Sequence, residues 1–232
     1  MKSYAQSCGV ASALDLIGER WTLLIIRDLL TGPKRFSELE ASARGAGPNM
    51  LARRLQMLRE NGIIERHKDP KDARGIIYAL EPAGEALRPV VLALARWGLI
   101  YAPEPKGQDS ESRAQWAALA VEAMSIGHDL PGVNEAYEFR IDDNAFLLIV
   151  TQGVPRIQML DNDSRLESSL IVTTDSETFY HIGKRLLSPL EAVVSGKLTI
   201  QGDMTALDRC LSLLGLNSVP TTPPSPSHSS PL

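Results

Sequence analysis

Asn49, Arg53 and Gln56 in the segment GPNMLARRLQMLRENG recur at intervals of four and three, so a helix carries them on one face. Arginine can bond a guanine edge with two parallel hydrogen bonds, and asparagine or glutamine can do the same for adenine. Arg54 falls on the flank of that face, and Leu51, Leu55 and Leu58 form an apolar stripe opposite it. Any surface helix shows polar residues opposite leucines, so the helix alone does not decide the chemistry. The next residues add to it. Two strand-like runs, IIERH and GIIYAL, flank KDPKDAR, whose Lys68, Lys71 and Arg74 form a basic turn diluted by Asp69 and Asp72. A helix that reads a major groove beside a hairpin that reaches phosphates would use these seven residues as DNA contacts.

Other chemistries find little purchase. His67, His128, His181 and His228 are far apart, and none has ligand spacing with cysteine or acidic residues, so no metal site is expected. Neither a glycine-rich phosphate loop nor a nucleophile elbow occurs. The pairs Asp142-Asp143 and Asp161 with Asp163 fit turns between strands better than acid–base work. No catalytic residue and no cofactor is assigned; the reading is not that of an enzyme. Two cysteines, Cys8 and Cys210, make no disulfide framework and suit a reducing compartment. With no apolar run near the ~20 residues of a membrane span and a polar-interrupted N-terminus, a cytoplasmic protein without a membrane partner is expected.

These residues need elements to hold them. Charge divides the chain: residues 1–101 carry 15 Lys+Arg against 11 Asp+Glu, while the remainder carries 9 against 17, which hides a basic front half behind a net charge of −4. The segment 102–112, APEPKGQDSES, reads as a linker, and 217–232, rich in Pro and Ser, as a disordered tail. Two domains result, 1–101 and 113–216. In the first, helices are expected over VASALDLIG, RWTLLIIRDLL and RFSELEASA. A fourth starts at Pro48, where the missing N–H is harmless, and stops at Gly62. After the hairpin a last helix is expected from Pro82 to about Gly98. That order is a winged helix-turn-helix.

The stretch CGVASALDLIGERWTLLIIRDLLTGPKRFSELEA, continued by MLARRLQMLRENGIIER and YALEPAGEAL, resembles the HxlR family of bacterial transcriptional regulators over residues 8–99. The likeness rests on Cys8, Leu14, Gly18, the Trp21 helix, the Gly32-Pro33-Arg35-Phe36 turn, Leu39, Leu51, Leu55, Leu58, Gly62 and Gly84. One departure is Glu81 before Pro82, where the family has a capping threonine. The resemblance implies a homodimer formed by the first and last helices of the domain, reading an inverted-repeat operator in double-stranded DNA. It also places Cys8 where several such regulators carry a redox-sensing cysteine. Cys8 precedes a helix, which lowers a thiol's pKa, although free cysteines are often buried and inert. Cys210 shares a stripe with Leu207, Leu211 and Leu214 and reads as core.

The second domain begins with the helix SRAQWAALAVEAMS. Strand-like runs come next at EAYEFRID, AFLLIVTQG, PRIQML and SSLIVTTD. Thr174 with Glu177, and Ser188 with Glu191, have capping-box spacing; the first of these helices is expected to carry Phe179, Ile182 and Leu186. GKLTIQGD gives a further strand, and Asp203 caps a last helix. Antiparallel strands with helices on one face make an α+β domain. LIVTTDSETFYHIGKRLLSPLEAVVSGKLTIQGDMTALDRCLSLL is similar to the C-terminal half of the sterol-carrier-protein-like domain, which implies a small hydrophobic ligand between sheet and helices. Phe179, Ile182 and Met204 are the candidate pocket residues, and each is also an ordinary core candidate. The reading is a regulator, a repressor by default, whose effector binds the second domain. The alternatives are a thiol-based redox regulator acting through Cys8, or an apolar-ligand carrier without DNA binding.

Overall fold

The computed structural model describes residues 3–70, 72–103, 114–160 and 167–217. Lys71, the linker beyond Pro103, Asp161 with Asp163, and the tail beyond Asn217 lie outside the described residues. The chain divides into two compact units after Val91.

The first unit runs α1 (Gly9–Ile17), α2 (Thr22–Leu29), β1 (Lys34–Arg35), α3 (Phe36–Ser42), α4 (Pro48–Glu60), β2 (Ile64–Asp69), β3 (Asp72–Leu80) and α5 (Pro82–Glu85), and α6 (Arg88–Tyr101) begins in it. Its three strands are ordered β1-β3-β2, all antiparallel, with Lys34 opposite Tyr78 and Arg66 opposite Tyr78 on the other side. The leucine stripe of α4 does what its spacing predicts. Leu51, Leu55 and Leu58 are buried, as are Ile25, Ile26 and Leu29 of α2 and Leu39 of α3, and this shared core sets the angle at which α4 leaves its other face uncovered. Pro48 stands in the first turn of α4, and Gly62, at φ +65°, ends it in the left-handed conformation.

The helix expected from Pro82 to Gly98 is two helices. Pro89 lacks an N–H, and its ring would clash with the carbonyl of Glu85 one turn earlier. The chain therefore breaks between α5 and α6, with Pro89 accommodated in the first turn of α6. Glu81 precedes α5 without any side-chain cap.

The second unit contains α7 (Ala114–Ser125), β4 (Glu135–Ile141), β5 (Asn144–Thr151), β6 (Val154–Met159), β7 (Leu170–Thr174), α8 (Ser176–Gly183), α9 (Pro189–Val194), β8 (Leu198–Gly202) and α10 (Met204–Leu213). The α+β class stands as read. The sheet order is β6-β5-β4-β7-β8, and its pairs are antiparallel except β4 with β7. β4, β5 and β6 form successive hairpins, so β6 runs in the direction of β4, and β7 takes that same direction on the other side of β4. Asp142 and Asp143 make the two-residue turn between β4 and β5. Alternate strand residues Tyr137, Phe139 and Ile141, with Phe146 and Leu148, point into one core with Val121, Ile182, Ala206 and Cys210 from the helices.

Two expectations in this unit need correction. Asp175, not Thr174, caps α8: its carboxylate accepts from Thr178 N at 2.7 Å. Thr174 is the last residue of β7 and buried, and its hydroxyl donates to Lys197 O at 2.8 Å instead. Leu186 lies beyond the end of α8 and is exposed. Ser188 with Glu191 forms the expected capping box, and Asp203 caps α10 by accepting from Thr205 N at 3.1 Å.

Candidate nucleic-acid interface

The α4 face opposite its leucines is open to solvent. Asn49, Arg53 and Gln56 are all exposed. Arg53 makes no hydrogen bond or ion pair among the described residues, so its guanidinium keeps all its donors for a ligand. Gln56 donates to Glu60 Oε1 at 2.8 Å one turn along the helix, an exposed bond that a stronger acceptor can replace. Arg54 is different. Its side chain is 15% exposed and its guanidinium is paired with Glu19, while its Nε is buried without a partner. Arg54 therefore ties α4 to the turn between α1 and α2, and the flank position expected from sequence is a structural junction.

The hairpin is longer than its sequence suggests, with β2 running to Asp69 and β3 starting at Asp72. Lys68 and Arg74 are exposed near its tip, and Lys71 lies outside the described residues. Asp69 and Asp72 do not simply dilute this charge. Arg35, at the end of β1, donates from Nε to Asp69 Oδ2 at 2.8 Å and lies 3.4 Å from Asp72 Oδ2. The first contact links residues 34 positions apart, which no local pattern could reveal. Arg66 escapes a sequence reading for a different reason. It is exposed and two residues from Lys68 on the same strand, so both side chains stand on one side of the hairpin. Strand alternation in ERHKD carries that signal. His67 faces the other way and pairs with Glu65 at 2.6 Å.

An open depression of about 510 Å³ lies between α4 and the hairpin, lined by Gln56, Arg59, Glu60, Arg66 and Tyr78 among others. Its mixture of cations and carboxylates does not single out a ligand.

Cys8 occupies the N-cap position of α1 and is exposed. It makes no side-chain cap hydrogen bond, but the backbone N–H groups of Ala11 and then Val10 at the helix start hold the thiol pKa below the ordinary value. Cys210 is buried, and desolvation pushes its thiol up to about 12, as a core cysteine requires.

The three pocket candidates of the second unit differ in their surroundings. Phe179 packs edge-on against Phe139, with ring centroids 6.4 Å apart, and Ile182 is buried in the same core. Met204 is 67% exposed at the start of α10. An open depression of about 480 Å³ at the ends of β4 and β5 is lined instead by Asn134, Glu135, Thr151 and Ser168 among others. Among the described residues no group of three or more His, Cys, Asp or Glu is placed to hold a metal, and no helix is long and apolar enough to cross a membrane.

Residues 16–106 match the HxlR-like helix-turn-helix family, and residues 119–214 match the SCP-2 sterol transfer family. An uncharacterized HTH-type transcriptional regulator of Mycobacterium tuberculosis, Rv3095, is 41% identical over 98 residues, which are 42% of this chain and 61% of that protein. The chain thus spans about three fifths of that relative's length. The HTH-type transcriptional regulator YodB of Bacillus subtilis is 41% identical over 86 residues, 37% of this chain and 77% of YodB. YtfH of Escherichia coli is 35% identical over 101 residues, 44% of this chain and 80% of that protein. The reduced form of YodB superposes with a TM-score of 0.37 at 35% identity, covering 44% of this chain and 100% of that one. A match that takes in most of YodB is a match to a whole domain and not to an isolated motif, and with it the chain belongs to the HxlR-like helix-turn-helix family, with a match to the SCP-2 sterol transfer family behind it.

Proposed function

We propose that this protein is a transcriptional regulator that binds double-stranded DNA as a homodimer, with α4 in the major groove and the β2–β3 hairpin against the backbone. The observation that carries the reading is the exposed Arg53, without a partner among the described residues, between Asn49 and Gln56 on one face of a helix whose other face is buried. Arg66, Lys68 and Arg74 supply phosphate contacts, and Arg54 orients α4 through Glu19. A dimer is supported by α6: Val90, Leu94, Trp97 and Tyr101 are exposed at the four-three-four spacing of a helix-pairing seam. On α1, Val10 and Leu14 are exposed one turn apart. The operator is then an inverted repeat with half-sites about one helical turn apart, and occupancy represses.

A small apolar effector fits the second domain's family, with Phe179 and Ile182 on α8 as the residues to probe and Met204 standing apart from them. An effector acts only if it binds one conformation more tightly than the other.

The test is binding of the full chain to genomic fragments selected by it, titrated with KCl. A regulator gives log–log slopes of about −0.9 per phosphate neutralised, and Arg53→Ala weakens the cognate site by ~1–3 kcal/mol while leaving random DNA unaffected. An apolar carrier without DNA binding selects no fragment.

A second reading keeps the DNA role and moves the signal to Cys8. It is favoured by the exposed thiol at a helix start, with its pKa lowered by two backbone N–H groups. Diamide would release wild-type protein from the operator and leave Cys8→Ser bound; release of both refutes this reading.

A further inference from the structure

The hairpin tip poses an electrostatic problem for a DNA-binding protein, and its solution deepens the proposed DNA role and rests on it. Asp69 and Asp72 stand among Lys68, Lys71 and Arg74 in sequence, so a phosphate backbone would meet two carboxylates amid the three cations. The structure answers with a third residue from a distant part of the chain. Arg35 is fixed at its own backbone, since it pairs with Ile77 of β3 and its N–H donates to Glu38 Oε2 at 2.6 Å. From there its guanidinium takes both carboxylates, Asp69 Oδ2 at 2.8 Å and Asp72 Oδ2 at 3.4 Å. Asp69 is drawn inward until its side chain is 10% exposed, while Asp72 stays at the surface, 43% exposed, with its other oxygen accepting from Arg74 N at 3.1 Å.

The turn is closed around this contact. The register between β2 and β3 slips between Lys68 and Asp69, and a Cβ at Gly75 would lie 2.9 Å from Asp69 Cβ and 3.2 Å from Asp72 O. A glycine at this position leaves room for the Asp69 side chain to fold back towards Arg35. Lys68 and Arg74 remain exposed.

We propose that Arg35 is a positioning residue for DNA binding: it withdraws Asp69 from the hairpin tip and neutralises Asp72 where it stands, so that neither carboxylate opposes Lys68 and Arg74 at the phosphate backbone. Arg35 acts through the two aspartates and not by touching DNA. In its absence two carboxylates no longer neutralised by Arg35 offset most of the basic charge of Lys68, Lys71 and Arg74, and the tip disengages.

Four full-length proteins test this on one selected operator fragment: wild type, Arg35→Ala, Asp69→Asn/Asp72→Asn, and the triple variant combining all three changes. Arg35→Ala should weaken binding on the order of tenfold at about 0.1 M KCl, and the salt slope should fall in magnitude by about 0.9 for each of the two lost phosphate contacts. The triple variant should recover to within about threefold of wild type and regain the slope, because no carboxylate remains to be neutralised. A triple variant as weak as Arg35→Ala would mean that Arg35 itself touches DNA or supports the fold, and overturns the proposal. Unchanged binding by Arg35→Ala overturns it also. If Arg35→Ala fails to fold, the comparison of the triple variant with Asp69→Asn/Asp72→Asn decides: equal affinity supports the proposal and a large gap refutes it. Wild-type protein that selects no fragment removes the DNA role itself, a result distinct from all of these.

Discussion

Asp28 offers the sharpest test of how the first domain holds α3 against α2. It lies near the C-terminal end of α2, where the helix dipole disfavours an anion, and its side chain is 3% exposed. A carboxylate in that position must be compensated. Arg27 supplies Nε at 3.0 Å and a second nitrogen at 2.9 Å to Oδ1, and Ser42 at the end of α3 donates its hydroxyl to Oδ2. The perturbation is Asp28→Ala. It leaves a largely buried guanidinium and a hydroxyl without this acceptor, each losing a charge-assisted bond of roughly 1.5–3 kcal/mol. Against that stands relief of the carboxylate's own desolvation, several kcal/mol, and of about 0.3–1 kcal/mol from the dipole. Breaking one side of a buried pair is strongly unfavourable in general, so the expected net loss is about 2–4 kcal/mol. Ser42→Ala should lose ~1–2 kcal/mol, and the double variant should show coupling of about 1 kcal/mol, because both changes remove the same bond. Hydrogen exchange of α2 and α3 amides in the full chain under mild urea reports the opening free energy of this domain separately from the second. Protection within ~0.5 kcal/mol of wild type for Asp28→Ala would refute the reasoning, since it would mean that the network joining α2 to α3 contributes nothing.

Further outcomes are expected. Cys8, with its thiol pKa lowered, holds a thiolate at lower pH than a free cysteine, so its iodoacetamide labelling should reach half its plateau at a lower pH than that of a free cysteine in the same assay. Cys210, pushed up to about 12 by burial, should label only on unfolding; equal rates for the two would contradict their environments. Leu94→Glu places a charge in the middle of the exposed α6 seam and should weaken self-association by about 100-fold in sedimentation equilibrium. Ser188→Ala removes the hydroxyl that accepts from Glu191 N at 3.1 Å and should lower the stability of the second domain by ~1 kcal/mol, read as faster exchange across α9.

Much of this molecule is legible without coordinates because much of it is decided within one turn of helix or one strand pair. The burial of Leu51, Leu55 and Leu58 follows from their spacing, and with it the exposure of Asn49, Arg53 and Gln56. Pro48, Gly62, the Ser188–Glu191 box and the Asp203 cap act on the backbone beside them, so their roles survive any change of surroundings. Pro89 belongs to the same class: its ring ends a helix from within, and the break before α6 is a local consequence of it.

Tertiary structure decided the rest, because charges choose partners by distance in space. Arg54 falls by spacing on the flank of the Asn49, Arg53 and Gln56 face, a position open to a DNA contact, yet Glu19, 35 positions away, claims it. Arg35 belongs to the turn before α3 in sequence and to the hairpin tip in space. Thr174 and Asp175 both had the chemistry to cap α8, and only the approach of the Lys197 carbonyl determined which was free to do so. The parallel pairing of β4 with β7 likewise depends on where the chain returns to the sheet, which alternation along each strand leaves open.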